Sequence, residues 1–140
     1  MKILLAVDGS DYTRRMLDYV ASNTALFDAS HEYTLFNAQP QLPGHAASVV
    51  GGDAVRQYHE DEAKQVLDSA LATLSGRGLK ASATWKAGPA GETIGEFAEK
   101  GGYGLVIMGS HGHGALGRIV MGSVANRVLA HCSVPVLLIR

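Results

Sequence analysis

The sequence predicts an α/β fold, a parallel sheet with helices on both faces. Three observations carry this reading. Short apolar runs alternate with longer segments whose apolar residues recur at helical spacing, giving strand, helix, strand, helix, strand, helix, strand, helix, strand. The runs ILLAV (3–7) and LVIM (105–108) are apolar at every position, as strands buried on both faces must be. Both runs end in small or polar residues, Asp8-Gly9-Ser10 and Gly109-Ser110. Open parallel sheets build their crevices at the carboxyl ends of the strands.

Taken in order, the first strand is Ile3 to Val7, closed by Asp-Gly-Ser. Ser10 caps the first helix, and Asp11 suits its positive end. Leu17, Val20, Ala21, Thr24 and Phe27 give that helix its face. HEYTLFNA (31–38) is the second strand, and the Pro- and Gly-rich residues 39–52 are a loop. A long amphipathic helix runs from about Asp53 to Leu74, with Val55, Tyr58, Ala63, Val66, Leu67, Ala70 and Leu74 facing inward. GRG ends it. LKASATWKAG alternates as a third strand. Pro89 starts a helix whose face is Ile94, Phe97 and Ala98. GLVIMG is the fourth strand; Val124, Val128, Leu129 and Cys132 mark the last helix, and VPVLLIR is the final strand. The chain of 140 residues forms one domain, 1–140, with neither an internal repeat nor a low-complexity tract.

Composition narrows the function. With 46% apolar residues, 18% charged and a net charge of −1, the chain has no general attraction for nucleic acid or an anionic membrane. Nor does any stretch approach the roughly 20 apolar residues of a membrane span. Cys132 is the lone cysteine, so no disulfide within the chain can form, which fits a reducing, cytoplasmic setting. Charge is uneven: all thirteen acids precede position 100, and Lys100, Arg118, Arg127 and Arg140 follow without one. The C-terminal part is where an anion is best tolerated.

That part contains GSHGHGALGRIVMGS (109–123), in which three patterns overlap. Gly112-x-Gly114-x-x-Gly117 matches the dinucleotide fingerprint literally, but it follows the fourth strand and no acid lies downstream to hold a ribose. Gly112 to Gly117 has P-loop spacing, but Arg118-Ile119 stands in place of the required Lys and Ser/Thr. The third pattern is Gly109-x-x-Gly112, nine residues, then Gly122-Ser123. It describes a loop pinned at both ends by glycines that let the backbone turn and come close to a ligand. Its second end opens a helix, whose free N–H groups and dipole favour a phosphate.

GSHG, nine residues, GS and VANRVLAHCSVPVLLIR together resemble the universal stress protein family in its ATP-binding subgroup. KILLAVDGS resembles the family's first strand, and AGPAGETIGEFAEKGGYGLVIMGSHG its third-helix and fourth-strand region. The similarity covers nearly the whole chain. It implies a five-stranded parallel sheet of order 3-2-1-4-5 with four helices, of the adenine-nucleotide alpha hydrolase-like kind. It implies phosphate binding by Gly109, Gly112, Gly122 and Ser123, with the Val124 N–H beside them. Asp8 would contact ribose or adenine, and the backbone near Ala38 would contact adenine. The implied ligand is ATP, with Mg²⁺ as an optional companion, and the implied assembly is a homodimer through the C-terminal strand. The family commonly has Asp at the position of Gly104, and His or Val where Asn37-Ala38 stands.

The expected function is therefore a cytoplasmic ATP-binding regulator or sensor of stress, with at most slow hydrolysis, since no catalytic base or phosphate lysine is evident. The alternatives are a nucleotide-free dimeric interaction protein of the same fold and a small α/β hydrolase. Ser10 reads as a cap rather than a nucleophile, and Ser110-His111 are adjacent in sequence, which does not make a dyad. His111 and His113 lack nearby partners for a metal site and read as loop residues facing phosphate or solvent. Arg118 suits phosphate contact and solvation equally. The apolar final strand gives dimerisation a separate basis, because unpaired edges find partners.

Overall fold

A computed structural model describes residues 1–42, 44, 48–49, 51–113 and 121–140. Five strands form one sheet: β1 (Lys2–Ala6), β2 (Glu32–Gln39), β3 (Ala81–Ala87), β4 (Leu105–Gly109) and β5 (Val136–Ile139). Among the described residues four helices of eight or more residues link them: α1 (Asp11–Ser22), α2 (Gly52–Ser75), α3 (Ala90–Lys100) and α4 (Ser123–His131). The strand order is β3-β2-β1-β4-β5, and every neighbouring pair is parallel. The order reverses direction between β1 and β4, which opens a crevice at their carboxyl ends.

The central strands are apolar at both parities because each parity feeds a different core. Ile3, Leu5 and Val7 of the first strand join Leu35, Ile107 and the inward faces of α1 and α2. Leu4 and Ala6 join Phe36, Val106, Met108 and the faces of α3 and α4. The first strand stops at Ala6, one residue earlier than its apolar run suggests, although Val7 N–H still donates to Phe36 O at 2.9 Å.

Ser10 caps α1, accepting from Thr13 N–H. Asn23 closes the helix, its Nδ2 donating to Tyr19 O at 2.8 Å. Thr24 therefore falls beyond the helix and is exposed, while Phe27 is buried. In α2 the buried series is His59, Ala63, Leu67, Ala70 and Leu74. The four-residue step back from Ala63 lands on His59, so Tyr58 turns outward, 48% exposed, and is not part of the apolar face the sequence suggests.

Helices α3 and α4 touch through glycines. A Cβ at Gly91 would stand 2.1 Å from Arg127 Cβ, and one at Gly95 would stand 3.2 Å from His131 Cβ. Glu92 reinforces the contact by accepting from Arg127 Nη1 at 3.0 Å. This close approach fixes where α4 begins relative to the sheet.

Candidate functional site

A crevice of about 610 Å³ lies over the carboxyl ends of β1, β2 and β4. Its floor is Ala6, Val7 and Met108, its α2 wall is Tyr58, Glu62 and Val66, and its opposite wall is Ala90, Ile94 and the start of α4. The seven residues singled out from the sequence, Asp8, Ala38, Gly109, Gly112, Gly122, Ser123 and Val124, all line this one space. Arg118, Gly114 and Gly117 lie outside the described residues.

Asp8 has two different oxygens. Oδ1 accepts from Ser10 N–H at 2.9 Å and from Thr13 Oγ1 at 2.8 Å. Thr13 Oγ1 in turn accepts from Asp8 N–H at 3.0 Å. These bonds hold the turn after β1, where Gly9 adopts a φ of 78°. Oδ2 faces Gly112, so close that a Cβ there would lie 2.6 Å from it. Turn-capping and a carboxylate presented to the crevice are thus combined in one side chain.

After β4 the chain crosses the end of β1. Ser110 is buried, and its Oγ pairs with His111 Nδ1 at 2.8 Å. The His111 ring lies 5.0 Å from that of Tyr12. His113 Nε2 lies 2.8 Å from Asp8 O; a carbonyl can only accept, so this nitrogen carries the proton. The two loop histidines therefore line the crevice with partners of their own.

Gly122 N–H donates to Ser110 O at 2.7 Å, drawing the start of α4 back against this segment. Gly122 is the N-cap of α4 and provides no side-chain cap. The first bond within the helix is Asn126 N–H to Gly122 O, so the N–H groups of Ser123, Val124 and Ala125 have no backbone partner among the described residues, at the edge of the crevice these residues line. The helix dipole adds positive potential there.

The three border glycines have separate steric reasons, and none has a positive φ. Gly109 exists for packing: a Cβ there would lie 2.6 Å from Tyr12 Cβ, on α1. Gly112 makes room for the Asp8 carboxylate. Gly122 makes room for the backbone of Ser110 and His111, 3.0 and 3.1 Å from the position of an added Cβ.

Sequence reasoning missed Asn37, Gln39 and Glu62. The available signal was a pair of amides two apart, Asn37 and Gln39, at the end of a strand that is largely buried from Tyr33 onward. Asn37 and Gln39 are 3% and 7% exposed. Asn37 Nδ2 donates to Val7 O at 2.8 Å, and Gln39 Nε2 donates to Asn37 Oδ1 at 2.6 Å. His59 Nδ1 closes the chain on Gln39 Oε1 at 3.4 Å.

The crevice is lined both by the carboxylates Asp8 and Glu62 and by the start of α4, whose first N–H groups have no backbone partner among the described residues. A ligand with hydroxyls or ring donors at one end and an anion at the other matches this arrangement.

Comparison with known proteins gives the same lineage throughout. The model of the Universal stress protein family matches residues 1–140. Universal stress protein Slr1230 of Synechocystis sp. is 30% identical over 139 residues, covering 99% of this chain and 42% of the relative. The chain thus spans less than half the length of that relative. Among solved structures, the protein MJ0577 of Methanocaldococcus jannaschii superposes with a TM-score of 0.81 at 27% identity, over 99% of this chain and 94% of that one. The universal stress protein of Archaeoglobus fulgidus in complex with dAMP has a TM-score of 0.72 at 24% identity, over 100% and 98% of the two chains, a likeness of fold. The shared architecture is the adenine-nucleotide alpha hydrolase-like fold.

Proposed function

Because the chain belongs to the universal stress protein family, we propose that it is a cytoplasmic ATP-binding sensor or regulator of stress, hydrolysing ATP slowly at most. The observation that carries this reading is one crevice lined by both carboxylates and the N-terminal end of α4. Asp8 Oδ2 suits the ribose hydroxyls, the backbone at Ala38 suits the base, and Gly112, Gly122, Ser123 and Val124 suit the phosphates. Gly109 supports the phosphate loop by letting α1 pack beneath it. The crevice volume, about 610 Å³, falls within the range of roughly 300–1,000 Å³ usual for small-molecule sites. The dAMP complex of the Archaeoglobus fulgidus relative supports an adenine nucleotide as the occupant.

Mg²⁺ would ride on the phosphates and keep most of its waters, which requires few protein ligands. Among the described residues no lysine lines the crevice, and the chemistry this supports is binding, with the nucleotide state read by other molecules. A homodimer through β5 fits the same picture. That strand is a sheet edge, and Val136, Leu137 and Leu138 are only half-buried. The nucleotide-free alternative is disfavoured by the crevice and by N–H donors of α4 that have no backbone partner among the described residues. Titration calorimetry with Mg-ATP should give measurable heat and thermal stabilisation. Neither at millimolar nucleotide would overturn the reading.

A further inference from the structure

The second strand ends in a way that a regular ladder would not. In a parallel ladder, a residue that receives one neighbouring carbonyl sends its own carbonyl to the N–H two residues further along that neighbour. Val7 N–H donates to Phe36 O at 2.9 Å, so regular pairing would carry Val7 O to Ala38 N–H. Instead β1–β2 pairing ends at Ala6↔Phe36, and Val7 O accepts from Asn37 Nδ2 at 2.8 Å. By strand alternation the Ala38 N–H and C=O point the same way, past the end of β1 and into the crevice that Ala38 lines. Neither has a backbone partner on that side among the described residues.

The carboxamide orientation follows from one fixed acceptor. Val7 O must face the Asn37 NH₂, so Asn37 Oδ1 accepts from Gln39 Nε2, and Gln39 Oε1 accepts from His59 Nδ1–H. His59 donates from Nδ1 whether its ring is neutral or protonated. The chain is 3%, 7% and 4% exposed at its three residues, so no member can turn freely to water.

We propose that Asn37 is a positioning residue that sets base selectivity: by occupying the Val7 carbonyl it keeps the two strands apart at their ends and leaves Ala38 N–H and C=O as a donor–acceptor pair for the base. Gln39 and His59 hold its amide in the required sense. The inference rests on the nucleotide-binding reading and deepens it. A purine with an exocyclic amine beside a ring acceptor matches the pair. A purine with a carbonyl in place of the amine sets acceptor against acceptor.

The test is amide hydrogen exchange at Ala38 with ATP, ITP and inorganic tripolyphosphate as probes. In the natural protein without nucleotide, the Ala38 amide should exchange freely. Saturating ATP should slow it at least tenfold, and ITP should bind at least tenfold more weakly than ATP. In Asn37→Leu the ladder should close, protecting Ala38 without nucleotide and weakening ATP about tenfold while leaving tripolyphosphate affinity unchanged. Asn37→Asp, which keeps the volume and loses the donor, should reduce the ATP:ITP ratio in the same direction. The natural protein alone decides the matter if neither variant folds. Protection of Ala38 before nucleotide is added, or equal affinity for ATP and ITP, overturns the proposal. So does an equal loss of ATP and tripolyphosphate binding in the variants. Protection by ATP elsewhere in the crevice with Ala38 unaffected overturns this proposal alone. Absence of any protection by ATP overturns the nucleotide reading and this proposal with it.

Discussion

Replacing Asp8 separates the two tasks assigned to its carboxylate. Oδ1 accepts from Ser10 N–H and Thr13 Oγ1, and Oδ2 lies against Gly112 at the crevice. Asp8→Ala removes both bonds and strands a backbone donor and a hydroxyl in a half-buried turn. Bonds to a charged group contribute about 1.5–3 kcal/mol each in favourable settings. Partial exposure lowers the sum to about 2–3 kcal/mol, and Thr13 Oγ1 keeps the bond it already accepts from the Asp8 N–H. For a chain of this size that is a fall in Tm of roughly 6–12 °C. Asp8→Asn keeps an oxygen for Ser10 and Thr13 and places an amide toward the ligand. Its stability loss should stay below about 1 kcal/mol, while the weakened bond to a ribose hydroxyl should raise the Kd for Mg-ATP roughly tenfold, about 1.4 kcal/mol. Urea unfolding and titration calorimetry on both variants supply the two numbers. Equal destabilisation by Asn and Ala would refute the division of labour, and unchanged ATP affinity in Asp8→Asn would refute the ligand role of Oδ2.

Further outcomes follow from the same contacts. Gly91→Ala puts a Cβ 2.1 Å from Arg127 Cβ; levering α3 off α4 should cost about 2–3 kcal/mol in urea unfolding. Gly112→Ala should weaken Mg-ATP through the Asp8 carboxylate, so its effect should largely vanish in an Asp8→Ala background, a coupling that a double-mutant cycle measures. Glu99 accepts from Ser133 N–H and from Ser133 Oγ at 2.6 Å, and these bonds hold its carboxyl below the ordinary 4.5. That stabilisation is complete above pH 4.5 and is lost as pH falls through the lowered value. Glu99→Gln should therefore flatten the dependence of Tm on pH below 4.5 and leave its shape at neutral pH alone. Light scattering at micromolar concentration should give the mass of a dimer, and a monomer mass would contradict pairing through β5.

The strands were legible because burial on both faces writes itself as an unbroken apolar run, visible in ILLAV and LVIM. The crevice residues were legible because glycines and small polar groups collect at the ends of those runs. What the sequence concealed depends on partners far along the chain. Gly91 and Gly95 look like weak helix positions until α4, more than thirty residues later, is laid against them. Tyr58 and His59 are adjacent candidates for one apolar face, and only the phase set by Ala63 and Leu67 decides between them. The chain through Asn37, Gln39 and His59 joins two elements across a loop, and spacing alone has no means of pairing them. The contact of Gly109 with Tyr12, far back in the chain, has no signature in the sequence.

Strand β1 is apolar at odd and even positions alike, and each parity is buried. A slip of one residue would exchange one covered face for another, so hydrophobicity does little to define its alignment, unlike that of a strand with one wet face. The alignment has to be set at the two ends. At the start, Glu32 N–H donates to Met1 O at 3.0 Å and Gly104 N–H to Lys2 O at 2.8 Å. At the finish, the Asp8 turn and the grip of Asn37 on Val7 O act as a stop. The groups at the mouth of the crevice therefore serve as an alignment mark for the folding chain, and the geometry that would receive a ligand is the same geometry that tells the sheet where it begins and ends.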